Sequence, residues 1–366
     1  MVTIHNIIKT IQSLKPLNIK DTDKISIKRI KNNYGTNRNV FKVVINNHSK
    51  YFLKISNQYI TKDKQKISNY LNTPTLYFQK SVPLGLIEIF EYIEGSLLTD
   101  LLLQSDNKSD KYLKILELEK KKNKNLLSMY SKTLKMIPYQ DIMNSKGNHL
   151  FYKRLTENRF KEYYYNTNLE KLFDKVLIIN GFQHPSIKKI IDDIKDKYES
   201  IDTSFSVKTV YGHGDIHHQN IIVEKNTSEL FFIDNEYNSQ IPINMEIAKP
   251  YYIDLLGSYF FFFNEALLKM ISVDNYQIYK DSIDIKLSTN FTPKLRLGIT
   301  QNKIETFKNI LNVCNDPISV NDYLVMSHIL SRDPNSYDKR VIPLFLAYIP
   351  ILSSFNILKP EELFIF

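Results

Sequence analysis

Tryptophan is absent from this 366-residue chain, cysteine occurs once and glycine nine times. The single thiol, Cys314, excludes an intrachain disulfide framework. Beside Val313, in a helical-looking stretch, it reads as a buried structural thiol rather than a nucleophile. Long apolar runs are also missing. The most apolar stretch, YYIDLLGSYFFFFNEALL (251–268), is interrupted by Asp254, Asn264 and Glu265. A bilayer span needs ~20 apolar residues, so this reads as a buried core helix. The N-terminal MVTIHNIIKTIQSLKPLNIK has no apolar signal core and no small-residue cleavage site, and reads as a short amphipathic helix. These absences lead to the expectation of a cytoplasmic protein with no membrane span.

One charge sign is in excess: the net charge is +10. The lysines are spread through an Ile- and Asn-rich chain and form no continuous basic stripe, so nucleic acid is not the expected partner. Hydrophobic residues make up 43%, with 24 Tyr and 21 Phe, enough for a sizeable core across about two domains. In the first part, KISIKRI alternates, VFKVVI is β-branched and KYFLKIS is short and apolar; NNHSK between the last two is a hairpin turn. Residues 60–72 carry a weak helical pattern, and LIEIFEYIEG (86–95) is another strand. After Gly95 the pattern turns helical. Residues 110–137 read as an amphipathic helix with Leu116, Leu127, Tyr130, Leu134 and Ile137 inward and the EKKKNK run as a solvated face. Ile187, Ile190, Ile191, Ile194, Tyr198 and Ile201 form a cleaner stripe, with Pro185 near its start. Largely helical sequence is expected from the end of the next motif to the C-terminus. The layout is α+β: residues 1–95 a small, mainly antiparallel β-rich lobe, and residues 96–366 a larger helical lobe.

The motif is YGHGDIHHQNIIVEKNTSELFFIDNEY, residues 211–237. A strand ends at Gly212 and Gly214, which allow backbone shapes closed to other residues, and Asp215 follows in the loop. IIV and LFFI form a hairpin, so Asp215, Asn220 and Asp234 can converge at one mouth. Two carboxylates and an amide oxygen make a hard, oxygen-only site of the kind Mg²⁺ takes alongside phosphate oxygens. One carboxylate can accept a proton from an attacking hydroxyl while the other holds the metal, the division of labour of phosphoryl transfer. His217 and His218 do not suggest zinc, because neighbouring residues rarely chelate one ion and no Cys is close in sequence.

HGDIHHQN followed by FIDNEY resembles the aminoglycoside phosphotransferase and choline kinase superfamily, small-molecule kinases with a bilobal protein-kinase-like fold. The match is carried by His213, Gly214, Asp215, His217, Asn220, Asp234 and Glu236. The resemblance implies Asp215 as catalytic base and Asn220 and Asp234 as Mg²⁺ ligands. His213 and His217 would order the loop, Glu236 would support the metal site, and Asp254 would open the next helix and brace the catalytic loop. His218 would face the surface or the substrate. In the first lobe the resemblance implies a nucleotide-covering loop at Gly35, Thr36 and Asn37, a phosphate-pairing Lys54, and a hinge at Glu91, Tyr92 and Ile93. The family supplies a Glu on the helix after this lysine; NQYITKDKQKISNYL contains none, leaving Asp63 or Gln65.

The expected activity is therefore transfer of the γ-phosphate of ATP, with Mg²⁺, to a hydroxyl of a small molecule. Sugars, amino sugars, aminoglycosides and choline- or ethanolamine-like acceptors stay open. The alternatives are a kinase acting on a protein or protein-bound sugar, and a nucleotide-binding pseudokinase, which the missing Glu motivates. The acceptor pocket is expected among residues 140–175 and 240–270, where FYKRLTENRFKEYYY mixes cations with aromatics.

Overall fold

A computed structural model of the chain describes residues 23–30, 39–56, 62–82, 85–105, 109–311 and 315–366. The chain divides into two compact units. One runs to Leu97 and adds the segment Ile221–Ile233; the other holds Leu98–Asn220 and Asp234–Phe366.

The first unit is built on an antiparallel sheet of β1 (Ile25–Arg29), β2 (Val40–Ile45), β3 (Ser49–Ser56), β4 (Leu76–Val82) and β5 (Gly85–Glu91), in the order β1-β2-β3-β5-β4. Alternation decides its core: Phe41, Val43, Ile45, Leu53, Ile55, Ile87 and Ile89 share one buried cluster. The tight β2–β3 turn needs positive φ, and Asn46 and Asn47 supply it at 53° and 61°. Residues Lys62–Asn69 form a 3₁₀ helix. The strand read across 86–95 is two: β5 ends at Glu91, and β6 (Gly95–Leu97) pairs with β11 (Ile221–Glu224), which pairs with β12 (Leu230–Phe232).

The second unit is mainly helical. Its long helix Ser109–Thr133 ends earlier than its apolar pattern suggests, and β7 (Lys135–Pro138) takes over. The buried face is also turned: Ile115, Leu118, Leu126, Met129 and Tyr130 are buried, whereas Leu134 is 43% exposed. The lysine run is not a solvated face throughout, since Lys122 and Asn123 are fully buried. In the helix Ile187–Ser200 the expected stripe from Ile187 to Tyr198 is buried, and Ser186, just after Pro185, caps it by accepting from the Lys189 N–H. Two small sheets complete the unit. β7, β10 (Ser206–Gly212) and β13 (Ser239–Pro242) form one, in the order β13-β10-β7. β8 (Val176–Ile179), β9 (Phe182–His184), β14 (Ile271–Ile278) and β15 (Ser282–Thr289) form the other, so the C-terminal part is not all helical. The apolar stretch is buried from Tyr251 to Phe260 and only partly beyond; a π-helical turn at Ile253–Gly257 interrupts it and a separate helix follows from Asn264 to Met270. No described helix is long and apolar enough to cross a membrane.

Candidate active site

β10 carries the chain to Gly212, and the loop after it is held from below by one carboxylate. Glu246, on the helix Ile243–Tyr252, accepts the backbone N–H groups of His213 and Gly214, each at 2.9 Å. Tyr130 donates its hydroxyl to the same carboxylate at 2.9 Å. The glycines make this possible. A Cβ at Gly212 would sit 2.7 Å from Glu246 Oε2. Gly214 lies at φ +80°, and a Cβ there would stand 2.6 Å from the Tyr237 carbonyl oxygen. Burial pushes the Glu246 carboxyl up to about 7, against the three donors that favour its charged form.

Asp215 follows the second glycine. Lys249 Nζ stands 2.6 Å from its Oδ1, and His217 Nε2 3.4 Å from the same atom. Burial alone would raise this carboxyl; Lys249 and His217 outweigh burial and hold it well below the usual carboxylate range. Asn220 donates its Nδ2 to the Asp215 carbonyl at 2.8 Å, which leaves Oδ1 as its acceptor end. Asp234 begins the turn Asn235–Tyr237 in the left-handed region, at φ 63°, a conformation that Asp tolerates better than most residues. Its side chain does not cap that turn. The Tyr237 hydroxyl lies within electrostatic reach of Asp215, Asp234, Glu236 and Arg154 together. Asp215 and Asn220 precede the hairpin of β11 and β12, and Asp234 follows it. Among the described residues no group of three His, Cys, Asp or Glu is placed to hold a metal ion. The oxygen donors of Asn220 and Asp234 suit a hard cation that completes its shell from phosphate and water.

A second layer lies behind the loop. His213 is fully buried, and its Nδ1 accepts the Asp215 N–H at 3.3 Å. His218 is neither at the surface nor in contact with solvent, contrary to expectation: it is 2% exposed. Its Nε2 meets Glu119 at 2.8 Å, and its backbone N–H donates to Asp254 at 3.0 Å. Burial lowers the His218 pKa against the Asp254 and Glu119 carboxylates beside it. Asp254 lies within the π-helical turn rather than opening a helix; it accepts Lys303 Nζ at 2.9 Å and lies 3.6 Å from Lys122. Lys122 in turn pairs with Glu119 at 2.6 Å. Arg296 donates to the Asp254 carbonyl and the Ser258 hydroxyl, both at 2.7 Å. Charges buried in this way persist only when paired, and here the pairing ties two long helices to the loop.

Sequence reasoning did not single out Lys249 or Glu246, and it reached Arg154 only as part of the stretch FYKRLTENRFKEYYY. Lysine and arginine are ordinarily surface residues, and nothing local to them signals their distant partner in the motif.

In the first unit, antiparallel register sets Lys54 directly opposite Glu88 on β5, so the two side chains share a face. Glu88 is fully buried and accepts from Gln79 at 3.1 Å. Glu91 donates its N–H to the Thr75 carbonyl at 2.8 Å, and Lys42 Nζ lies 4.2 Å from the Tyr92 ring centre. Ile93 lies between β5 and β6. Gly35, Thr36, Asn37, Cys314 and the N-terminal amphipathic segment lie outside the described residues, and the side chains of Asp63 and Gln65 are not described.

No family model matches the sequence, and no curated protein matches it. Solved structures do. An ethanolamine kinase from Plasmodium vivax superposes with a TM-score of 0.52 at 16% identity, over 98% of this chain and 91% of that one. The chain has a kinase-like fold. A glucosamine kinase in complex with glucosamine, ADP and inorganic phosphate matches at TM-score 0.45 and 10% identity, over 92% and 80% of the two chains. An aminoglycoside 2′-phosphotransferase in its GDP complex matches at TM-score 0.44 and 10% identity, over 96% and 98%. At these scores the latter two carry no weight. The first shows the bilobal α+β architecture expected from the motif and leaves the chemistry to the residues.

Proposed function

We propose that this protein transfers the γ-phosphate of ATP to a hydroxyl group of a small molecule. The observation that carries the reading is the Asp215 loop: a carboxylate after a strand end, paired with Lys249, with Asn220 bonded back to its carbonyl and Asp234 after the following hairpin. Asp215 orients the acceptor hydroxyl and takes its proton. A carboxylate held this far towards its charged form is a weak base, which suits a loose transition state in which the attacking oxygen needs little activation. Lys249 fixes the carboxylate and adds positive charge beside the reacting group. Asn220 and Asp234 hold Mg²⁺, which, when bound, neutralises charge on the phosphates. Lys54 holds the α- and β-phosphates, and the segment Glu91–Ile93 meets the adenine. Glu88, opposite Lys54 in register, takes the orienting role that no Glu on the following helix can fill. This weighs against a pseudokinase.

The test is transfer of labelled γ-phosphate from ATP·Mg²⁺ to a panel of sugars, amino sugars, aminoglycosides, choline, ethanolamine and a generic protein. Asp215→Asn is expected to keep its fold and ATP binding while turnover falls by ~10²–10⁴-fold. Wild-type turnover in that variant removes Asp215 from the base role, and label on protein alone replaces the small-molecule reading by the protein-kinase one.

A further inference from the structure

We propose that the acceptor carries an anionic group, a phosphate or a carboxylate, which Arg154 receives beside Asp215 with Arg159 and Lys249 adding to the positive field. The inference rests on the phosphotransferase reading and narrows its substrate class.

More than one cation lies close to the Asp215 carboxylate. Lys249 is already paired with Asp215 at 2.6 Å. Arg154 and Arg159 both lie within electrostatic reach of Lys249, and Arg154 also of Asp215, Tyr237 and Tyr163. The acidic residue of that segment, Glu157, is exposed to solvent. Arg154 Nε is buried and takes part in no hydrogen bond among the described residues. A guanidinium presents planar, paired donors that match an oxyanion, and burying it without such a partner is costly. A ligand that brings its own negative oxygens supplies the missing partner of Arg154 Nε and relieves the repulsion among the cations.

The surroundings agree with this polarity. His149 stacks on Tyr237 with ring centres 6.5 Å apart, and the Arg159 guanidinium already lies 5.7 Å from the Tyr163 ring centre. A cationic acceptor seeks an open aromatic face or a spare carboxylate. Here one aromatic face carries an arginine and the central carboxylate carries a lysine. An anionic acceptor finds the guanidinium of Arg154 waiting. The terminal phosphate of the nucleotide shares this chemistry, so the experiment must separate the two sources.

Wild type, Arg154→Gln and Arg154→Lys are compared in two arms. In the first, inorganic phosphate is titrated against chloride at matched ionic strength, with the melting midpoint as readout. Phosphate is expected to raise the midpoint of the wild type saturably, to have no effect on Arg154→Gln, and to act partly on Arg154→Lys. In the second arm, transfer is measured on acceptor pairs that differ by one anionic group: glycerol and glycerate, ethanolamine and serine, a hexose and its 6-phosphate. The anionic member is expected to lead by about 10-fold or more in kcat/KM. Arg154→Gln should erase that lead through the acceptor KM and leave the KM for ATP unchanged. Equal or better use of the uncharged members, or no response of the wild type to phosphate, overturns the proposal. So does a rise in the KM for ATP alone, which assigns Arg154 to the nucleotide. Phosphate binding through Arg154 with transfer to no acceptor overturns the phosphotransferase reading and supports anion recognition at Arg154.

Discussion

Replacing Glu246 with glutamine removes a buried titratable group from beneath the Asp215 loop while keeping its shape. The wild-type carboxyl is pushed from its ordinary 4.5 up to about 7. Between those values the folded state keeps a proton that the unfolded chain has lost. Stability from this group is therefore complete below pH 4.5 and declines as the pH rises through 7. A gap of roughly 2.5 pH units corresponds to about 3 kcal/mol. Glutamine does not titrate. It can still accept from Tyr130 and the His213 N–H, but its amide nitrogen then faces the Gly214 N–H, a pH-independent loss of about 1–3 kcal/mol. Glu246→Gln is thus expected to be the less stable protein below pH 4.5 and to draw level with or overtake wild type above pH 7. Urea unfolding of both proteins at each pH measures this, and groups not coupled to Glu246 cancel in the difference. A difference constant to within about 1 kcal/mol from pH 4.5 to 8 refutes the reasoning and means that the three donors keep Glu246 charged.

Other expectations follow from the same geometry. Gly214→Ala forces a Cβ to within 2.6 Å of a backbone oxygen at φ +80°; the loop must move, and turnover should fall by about 10²-fold while urea unfolding shows a loss of only about 1–2 kcal/mol. Lys122→Met leaves Glu119 and Asp254 short of a cation in a buried cluster and should cost about 3–5 kcal/mol, read by urea or thermal unfolding. Leu53→Ala, at a fully buried position of the first unit's sheet, should cost about 2–5 kcal/mol, seen as an earlier unfolding transition.

What the sequence disclosed follows the range of the forces involved. β2, β3 and the helix Ile187–Ser200 were legible because alternation and a 3.6-residue stripe are local signals. The helix Ser109–Thr133 misled because its inward face includes Glu119, Lys122 and Asn123, which satisfy one another and distant residues rather than water. Asn180-Gly181 between β8 and β9 is a strong hairpin signal that went unread, and the four-stranded sheet went with it. At the candidate site, Asp215, Asn220 and Asp234 belong to one short motif that the sequence displays. Lys249, which pairs with Asp215, and Glu246, which holds the backbone of its loop, come from elsewhere in the chain, and only the tertiary structure joins them.

The first unit is not one continuous piece of chain. Its β6 pairs with β11, and the Phe232 N–H donates to the Asn72 carbonyl at 2.8 Å, so part of its hydrogen bonding comes from residues made much later. A ribosome adds ~5–20 residues per second and releases the N-terminal part first. The nascent five-stranded sheet must therefore wait on the order of ten seconds, with β6 unpaired, before the hairpin Ile221–Ile233 emerges. A fragment ending at Leu97 would remain in that waiting state, whereas one that also carries residues 221–233 through a short linker would hold every strand that pairs with β6.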